Sequence, residues 1–143
     1  MAAADPAAPA FALDERIAAD SHPVESLTLC ELRLMDDAQY PWLVLVPRIA
    51  GARELIDLDP ALRVQLGAET DQAARLLRRL VAPDKLNVAS LGNVVEQLHV
   101  HVVARFVADA AWPAPVWGRL PMQPYARDAR DSMVSRLRAL LDA

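Results

Sequence analysis

Glu96-Gln97-Leu98-His99-Val100-His101-Val102-Val103-Ala104-Arg105-Phe106 is the stretch that decides how the chain folds. Taken in twos, Leu98, Val100, Val102, Ala104 and Phe106 form one apolar row, while Gln97, His99, His101 and Arg105 share the other side with Val103 between them. Successive side chains of an extended strand point to opposite faces, so this period of two predicts a half-buried β-strand. Two of the chain's three histidines then stand at i and i+2 on one face, with Cα atoms roughly 6.5 to 7 Å apart. Rings so placed can converge on one small group. A phosphate fits between them, with one ring nitrogen attacking phosphorus and the other ring donating to a non-bridging oxygen.

The neighbouring segments read outward from that strand. Lys85 to Ala89 is a short strand with Leu86 and Val88 on one face and Asn87 on the other, joined through a tight Ser90-Leu91-Gly92-Asn93 loop to the histidine strand. The two should therefore lie adjacent and antiparallel, with Asn87 on the histidine face. Trp42 to Val46, closed by Pro47, is a continuous apolar run expected to be covered on both faces. From Val24 to Met35 the alternation changes phase, with Leu27 and Leu29 odd and Leu32 and Leu34 even, which predicts a strand with a bulge or sharp twist near Cys30-Glu31. That strand pairs with residues 42–47 across an Asp36–Pro41 turn.

Helical signals occupy the rest. Phe11 to Asp20 carries Leu13 and Ile17 on one side of a short helix that His22-Pro23 ends, leaving His22 as a turn residue. Asp59 and Pro60 are an N-cap and a first helical residue, followed by a stripe of Leu62, Leu66, Ala73, Leu76, Leu77 and Leu80 that Pro83 stops, with Glu69 and the arginines mostly elsewhere. Residues 109–122 hold too many prolines for regular structure. Residues 123–143 predict a C-terminal helix with Met133, Leu137, Leu140 and Leu141 inward. The expected class is α+β: an antiparallel sheet of about five strands with helices packed on one side, forming a single domain over 11–143 after a disordered tail at 1–10.

Composition limits the function. A length of 143 residues suits one domain with a real core. Hydrophobic content of 54% is high, yet no apolar run approaches the ~20 residues that cross a bilayer. The surplus apolar surface points to a subunit interface and not to a membrane. A net charge of −4 argues against broad capture of a nucleic-acid backbone. A small phosphorylated ligand would instead use local donors, with Arg48, Arg105 and backbone N–H groups as candidates. The N-terminal residues lack the basic start and apolar centre of a signal peptide. The single cysteine, Cys30, is read as a small core residue of a protein from the reducing cytoplasm.

His99 and His101 admit three readings from the residues alone. They could be polar residues on an exposed strand face, two ligands of a metal site, or a nucleophile and its partner at phosphorus. Catalytic zinc needs a third protein ligand, and His22, Cys30 and the carboxylates show no motif spacing that supplies it. No metal and no cofactor is expected.

Gln97-Leu98-His99-Val100-His101-Val102-Val103 resembles the histidine triad (HIT) motif, His-φ-His-φ-His-φ-φ with φ apolar, in six of its seven positions. Gln97 stands where the family has its first histidine. The likeness extends through Tyr40 to Arg48, Asn87 to Asn93 and Trp112-Pro113, covering most of residues 11–117. It implies a HIT-like homodimer that binds a nucleotide or another nucleoside phosphate. It also implies that His99 attacks the α-phosphate to form a nucleotidyl-imidazole while His101 hydrogen-bonds the same phosphate. A backbone carbonyl accepting from the other nitrogen of His99 would fix the nucleophilic tautomer. By the same resemblance Asn87 and Asn93 contact the phosphate, Asp36 the ribose, and Trp112 shapes the pocket. Asp36 and Asn93 also have plain readings as turn residues. Gln97 can give and take hydrogen bonds but cannot change protonation during turnover, so good leaving groups or reduced activity are expected. The implied function is a nucleotide hydrolase or transferase. A nucleotide-binding or regulatory module with little or no turnover is the alternative.

Overall fold

The computed structural model describes residues 9–143. The tail expected at 1–10 lies, for residues 1–8, outside the described residues. The sequence folds into α1 Glu15–Asp20, β1 Ser21–Ser26, β2 Cys30–Met35, β3 Trp42–Pro47, α2 Pro60–Val81, β4 Lys85–Ala89, β5 Val100–Arg105 and α3 Arg127–Leu141. All strands join one antiparallel sheet in the order β1-β2-β3-β5-β4.

The period of two divides each central strand between two cores. Leu43 and Leu45 of β3, with Val100, Val102 and Ala104 of β5, face α2 and α3 and meet Leu66, Leu76, Leu77 and Leu137. On the other face Trp42, Val44, Val46 and Val103 pack with Tyr40, Val116 and Ile17 of α1. The histidine strand is therefore buried on both sides and not half-buried. The expectation failed because alternation reports polarity, whereas here polar side chains are covered by a loop and a short helix.

Helix α2 begins as expected, with Pro60 at its first turn after Asp59. It ends at Ala82, whose N–H still bonds the Arg78 carbonyl and whose left-handed backbone (φ 46°) turns the chain out of the helix before Pro83. Glu69, expected away from the core, is buried. Its carboxylate accepts the backbone N–H groups of Leu29 (3.0 Å) and Cys30 (2.8 Å) and the amide of Gln65 (2.6 Å). Buried turn amides need acceptors, and this helix supplies one.

That turn corrects a second expectation. Residues 24–35 are not one bulged strand: the chain reverses at Leu27-Thr28-Leu29, and β1 pairs back on β2. A phase change in alternation marks a hairpin as readily as a bulge. The register irregularity lies instead between Pro23 and Glu25, where proline offers no N–H to the ladder. His22 belongs to β1 and not to a turn. Its Nε2 lies 3.0 Å from Asp36 Oδ1, an ion-pair contact without the alignment of a hydrogen bond. The terminal helices are shorter than expected, and Leu13 precedes α1. Cys30 is buried, and desolvation with Glu69 alongside pushes its thiol far above the usual range, so it behaves as a core residue.

Candidate active site

Strand β5 begins at Val100, so His99 is the last residue of the connection from β4 and His101 the second of the strand. The connection runs from 90 to 99, longer than the four-residue loop expected. Leu98 anchors its end, its N–H bonded to the Ala52 carbonyl at 2.9 Å. The imidazoles meet edge to face with centroids 4.8 Å apart.

Each ring has one nitrogen tied down. Nδ1 of His99 is 2.6 Å from the Gln97 carbonyl oxygen. A carbonyl can only accept, so Nδ1 carries a proton, and in the neutral ring Nε2 has the lone pair. Nδ1 of His101 lies 3.0 Å from Trp42 Nε1. An indole N–H can only donate, so here Nδ1 is the acceptor and the neutral ring keeps its proton on Nε2. Burial, with His99 nearby as the smaller cause, lowers the His101 pKa to about 3 and keeps the ring neutral. The two neutral rings thus hold opposite tautomers: one Nε2 carries a lone pair and the other an N–H. The carbonyl expected to orient His99 is that of Gln97.

Both rings line a cavity of about 490 Å³, large enough for a nucleotide. Trp42 and Trp117 flank His101, with centroids at 5.6 and 5.4 Å. One wall is the loop Leu91–Val95, including Asn93. The other walls come from Arg16 and Asp20 of α1, Met35, Asp37, and the segment from Val116 to Met122.

The remaining expected site residues lie off this cavity. Asp36 accepts the Tyr125 N–H at 3.0 Å, whereas Asp37 lines the cavity. Asn87 does share the histidine face, but its Oδ1 accepts from Arg105 Nη1 at 2.8 Å. Gln97 Oε1 accepts the Asp14 N–H and its Nε2 donates to the Ala12 carbonyl, each at 2.8 Å. Trp112 packs against the Arg105 guanidinium, 5.6 Å from ring centre, and Trp117 occupies the cavity wall.

Neither arginine proposed as an anion donor is free to serve. Arg105 is almost wholly buried and grips Asp109 through Nε (2.8 Å) and Nη2 (3.1 Å), with Nη2 also on the Ala114 carbonyl. Its charge is spent fastening the loop after β5 across the sheet. Arg48 pairs with Glu31 at 3.1 Å and binds the Leu27 and Thr28 carbonyls. Among the described residues, no group of three or more His, Cys, Asp or Glu side chains is placed to hold a metal.

Sequence reading missed Trp42, Trp117 and Asp37. Alternation within β3 put Trp42 beside Val44, and Val44 pairs with His101. The signal existed, but it needed the strand order to be read.

Residues 17–108 match the HIT domain, a span that contains both site histidines and all five strands whole. The chain belongs to the HIT domain family. Its HIT domain superposes on a histidine triad protein from Marinobacter aquaeolei VT8 with a TM-score of 0.91 at 41% identity, covering 94% of this chain and 98% of that one. A histidine triad protein from Bradyrhizobium japonicum gives 0.89 at 43% identity, with 92% and 98% covered. By sequence, the HIT domain is 32% identical over 103 residues to a Mycobacterium tuberculosis protein named AP-4-A phosphorylase, covering 64% of this chain and 51% of that relative. The chain spans about half the length of the curated relatives it matches. No helix among the described residues is long and apolar enough to cross a membrane.

Proposed function

We propose that this HIT domain is a nucleotide hydrolase or nucleotidyl transferase in which His99 Nε2 attacks the α-phosphate of a nucleoside phosphate ester, anhydride or phosphoramidate. The opposite tautomers of His99 and His101 carry the reading. An attacking lone pair and a neutral N–H donor within one cavity match the two needs of phosphoryl transfer, a nucleophile and a partner for a non-bridging oxygen. Gln97, in the place of the family's first histidine, orients His99 through its carbonyl. Asn93 lies on the cavity wall, suited to the phosphate, and Asp37 takes the ribose role expected of Asp36. Asn87 and Trp112 act at one remove, by holding Arg105. The AP-4-A phosphorylase relative supports nucleotide chemistry of this kind.

The test is release of a nucleoside monophosphate from adenosine esters, anhydrides and phosphoramidates, with His99→Ala expected to abolish it. A nucleotidyl adduct on His99 should appear by mass spectrometry after a rapid acid quench. One observation favours a binding or regulatory module instead: both amide atoms of Gln97 are engaged by residues 12 and 14. AMP binding without release from any substrate would establish that reading. We also assign the chain to the cytoplasm as a homodimer. Exposed Leu55 and Val88 line one groove between α2 and edge strand β4, and light scattering measures the assembly.

A further inference from the structure

Attack by His99 leaves a second requirement, the fate of the departing group. That group needs a proton from the enzyme unless it is stable as an anion. Gln97 offers none, since Oε1 receives the Asp14 N–H and Nε2 is bound to the Ala12 carbonyl, both at 2.8 Å. His101 offers none either. Its Nδ1 is capped by Trp42 at 3.0 Å, and the Nε2–H of a neutral imidazole makes a hydrogen bond without surrendering its proton. The imidazolium that could act as an acid is opposed by burial and by the neighbouring His99.

The other ionisable side chains on the cavity walls are Arg16, Asp20 and Asp37. A guanidinium keeps its proton. The two carboxylates already face donors, Asp20 the Arg16 Nε at 3.8 Å and Asp37 the Gln39 N–H at 3.1 Å. Among the described residues, none lining the cavity is arranged as a general acid.

We propose that the site acts on nucleotide derivatives whose leaving group departs as a stable anion, such as phosphoric or carboxylic anhydrides and aryl esters, and discriminates against phosphoramidates, whose amine must be protonated to leave. This inference rests on the histidine reading above and names the substrate class for it.

The step balances without an acid. The lone pair on His99 Nε2 forms the N–P bond while the P–O bond to the leaving group breaks, and its electron pair departs on that oxygen. The ring keeps its Nδ1 proton, and the positive charge it gains is offset by the Gln97 carbonyl at 2.6 Å. Water then attacks phosphorus, the N–P pair returns to Nε2, and the water proton passes to solvent.

The experiment uses the full chain with adenosine 5′-monophosphate aryl esters of graded phenol acidity, a dinucleoside tetraphosphate and an adenosine phosphoramidate. The expected kcat/KM falls steeply as the leaving phenol becomes a weaker acid. The phosphoramidate should lag the most reactive ester by at least about 10²-fold, the lower end of what a general acid contributes. Gln97→His should narrow that gap. A flat dependence on the phenol, or a phosphoramidate turned over as fast as the ester, overturns the proposal and leaves the His99 nucleophile standing. No release from any substrate and no adduct on His99 overturns the histidine reading itself, and the proposal with it.

Discussion

The indole N–H of Trp42 donates to Nδ1 of His101 across 3.0 Å, and through that bond a residue of β3 sets which nitrogen of a β5 histidine carries its proton. Trp42→Phe keeps an aromatic ring in place and deletes the donor. The His101 ring should then sample both neutral tautomers, visible as a change in its ring ¹⁵N shifts. One hydrogen bond is worth about 0.5–1.5 kcal/mol, which corresponds to a loss of up to roughly tenfold in kcat. KM should change less. Unaltered ¹⁵N shifts would show that the tautomer is set elsewhere.

Burial of neutral His101 also ties stability to pH. Its pKa falls to about 3 in the fold, from the 6.5 of a free imidazole. Between those values the unfolded chain binds the extra proton, so stability is full above about 6.5 and declines as pH drops toward 3. The slope approaches about 1.4 kcal/mol per pH unit for one proton. Urea unfolding of wild type and His101→Gln at pH 4 to 6.5 isolates this contribution from that of the carboxylates. Parallel profiles would show that His101 accepts a proton within the fold.

The loop after β5 hangs on a buried ion pair. Side chains of Arg105 and Asp109 are 2% and 5% exposed, and the hydrogen bond from Arg105 is the largest cause holding the Asp109 pKa to about 2. Arg105→Met strands the carboxylate in the interior, and losing one partner of such a pair costs about 3–5 kcal/mol. Urea unfolding measures it. The sign with pH is the ordinary carboxylate one: the contribution of Asp109 is present above about 4 and is lost as pH falls toward 2. A cost below about 1 kcal/mol would mean that water reaches Asp109.

The fold was legible wherever one residue type reports one geometry. Pro60 after Asp59 fixed the start of α2, and the apolar run closed by Pro47 marked a strand covered on both faces. The histidine pair was legible too, because i and i+2 in an extended chain share a side. What escaped were relations set by tertiary contact. Glu69 looks like a surface residue until the hairpin at 27–29 presents two amides to it. Arg105 looks like a free cation until Asp109, four residues on, folds back. Asp36 and Asp37 are adjacent and chemically identical, and nothing in the sequence says which one the turn aims at the cavity.

That last pair separates a structural carboxylate from a proposed ligand-binding one. Asp36 accepts the Tyr125 N–H at 3.0 Å beside His22, away from the cavity, and so ties the approach to α3 onto the sheet. Asp36→Ala should lower stability by about 1–2 kcal/mol, the cost of leaving a part-buried donor unpaired. Its affinity for AMP should stay as in wild type. Asp37 lines the cavity, and its Oδ1 accepts from the backbone and side-chain amides of Gln39, both at 3.1 Å. Asp37→Asn preserves that acceptor and the turn, but loses the second carboxylate oxygen. Hydrogen bonds to a charged acceptor are worth about 1.5–3 kcal/mol, so AMP should bind about 10- to 100-fold more weakly. For 2′,3′-dideoxy-AMP, which has no ribose hydroxyls to donate, wild type and Asp37→Asn should bind alike in calorimetry. Weakened AMP binding in Asp36→Ala with normal binding in Asp37→Asn would return the ribose role to Asp36. An equal loss for both ligands in Asp37→Asn would assign Asp37 to the shape of the cavity and not to the sugar.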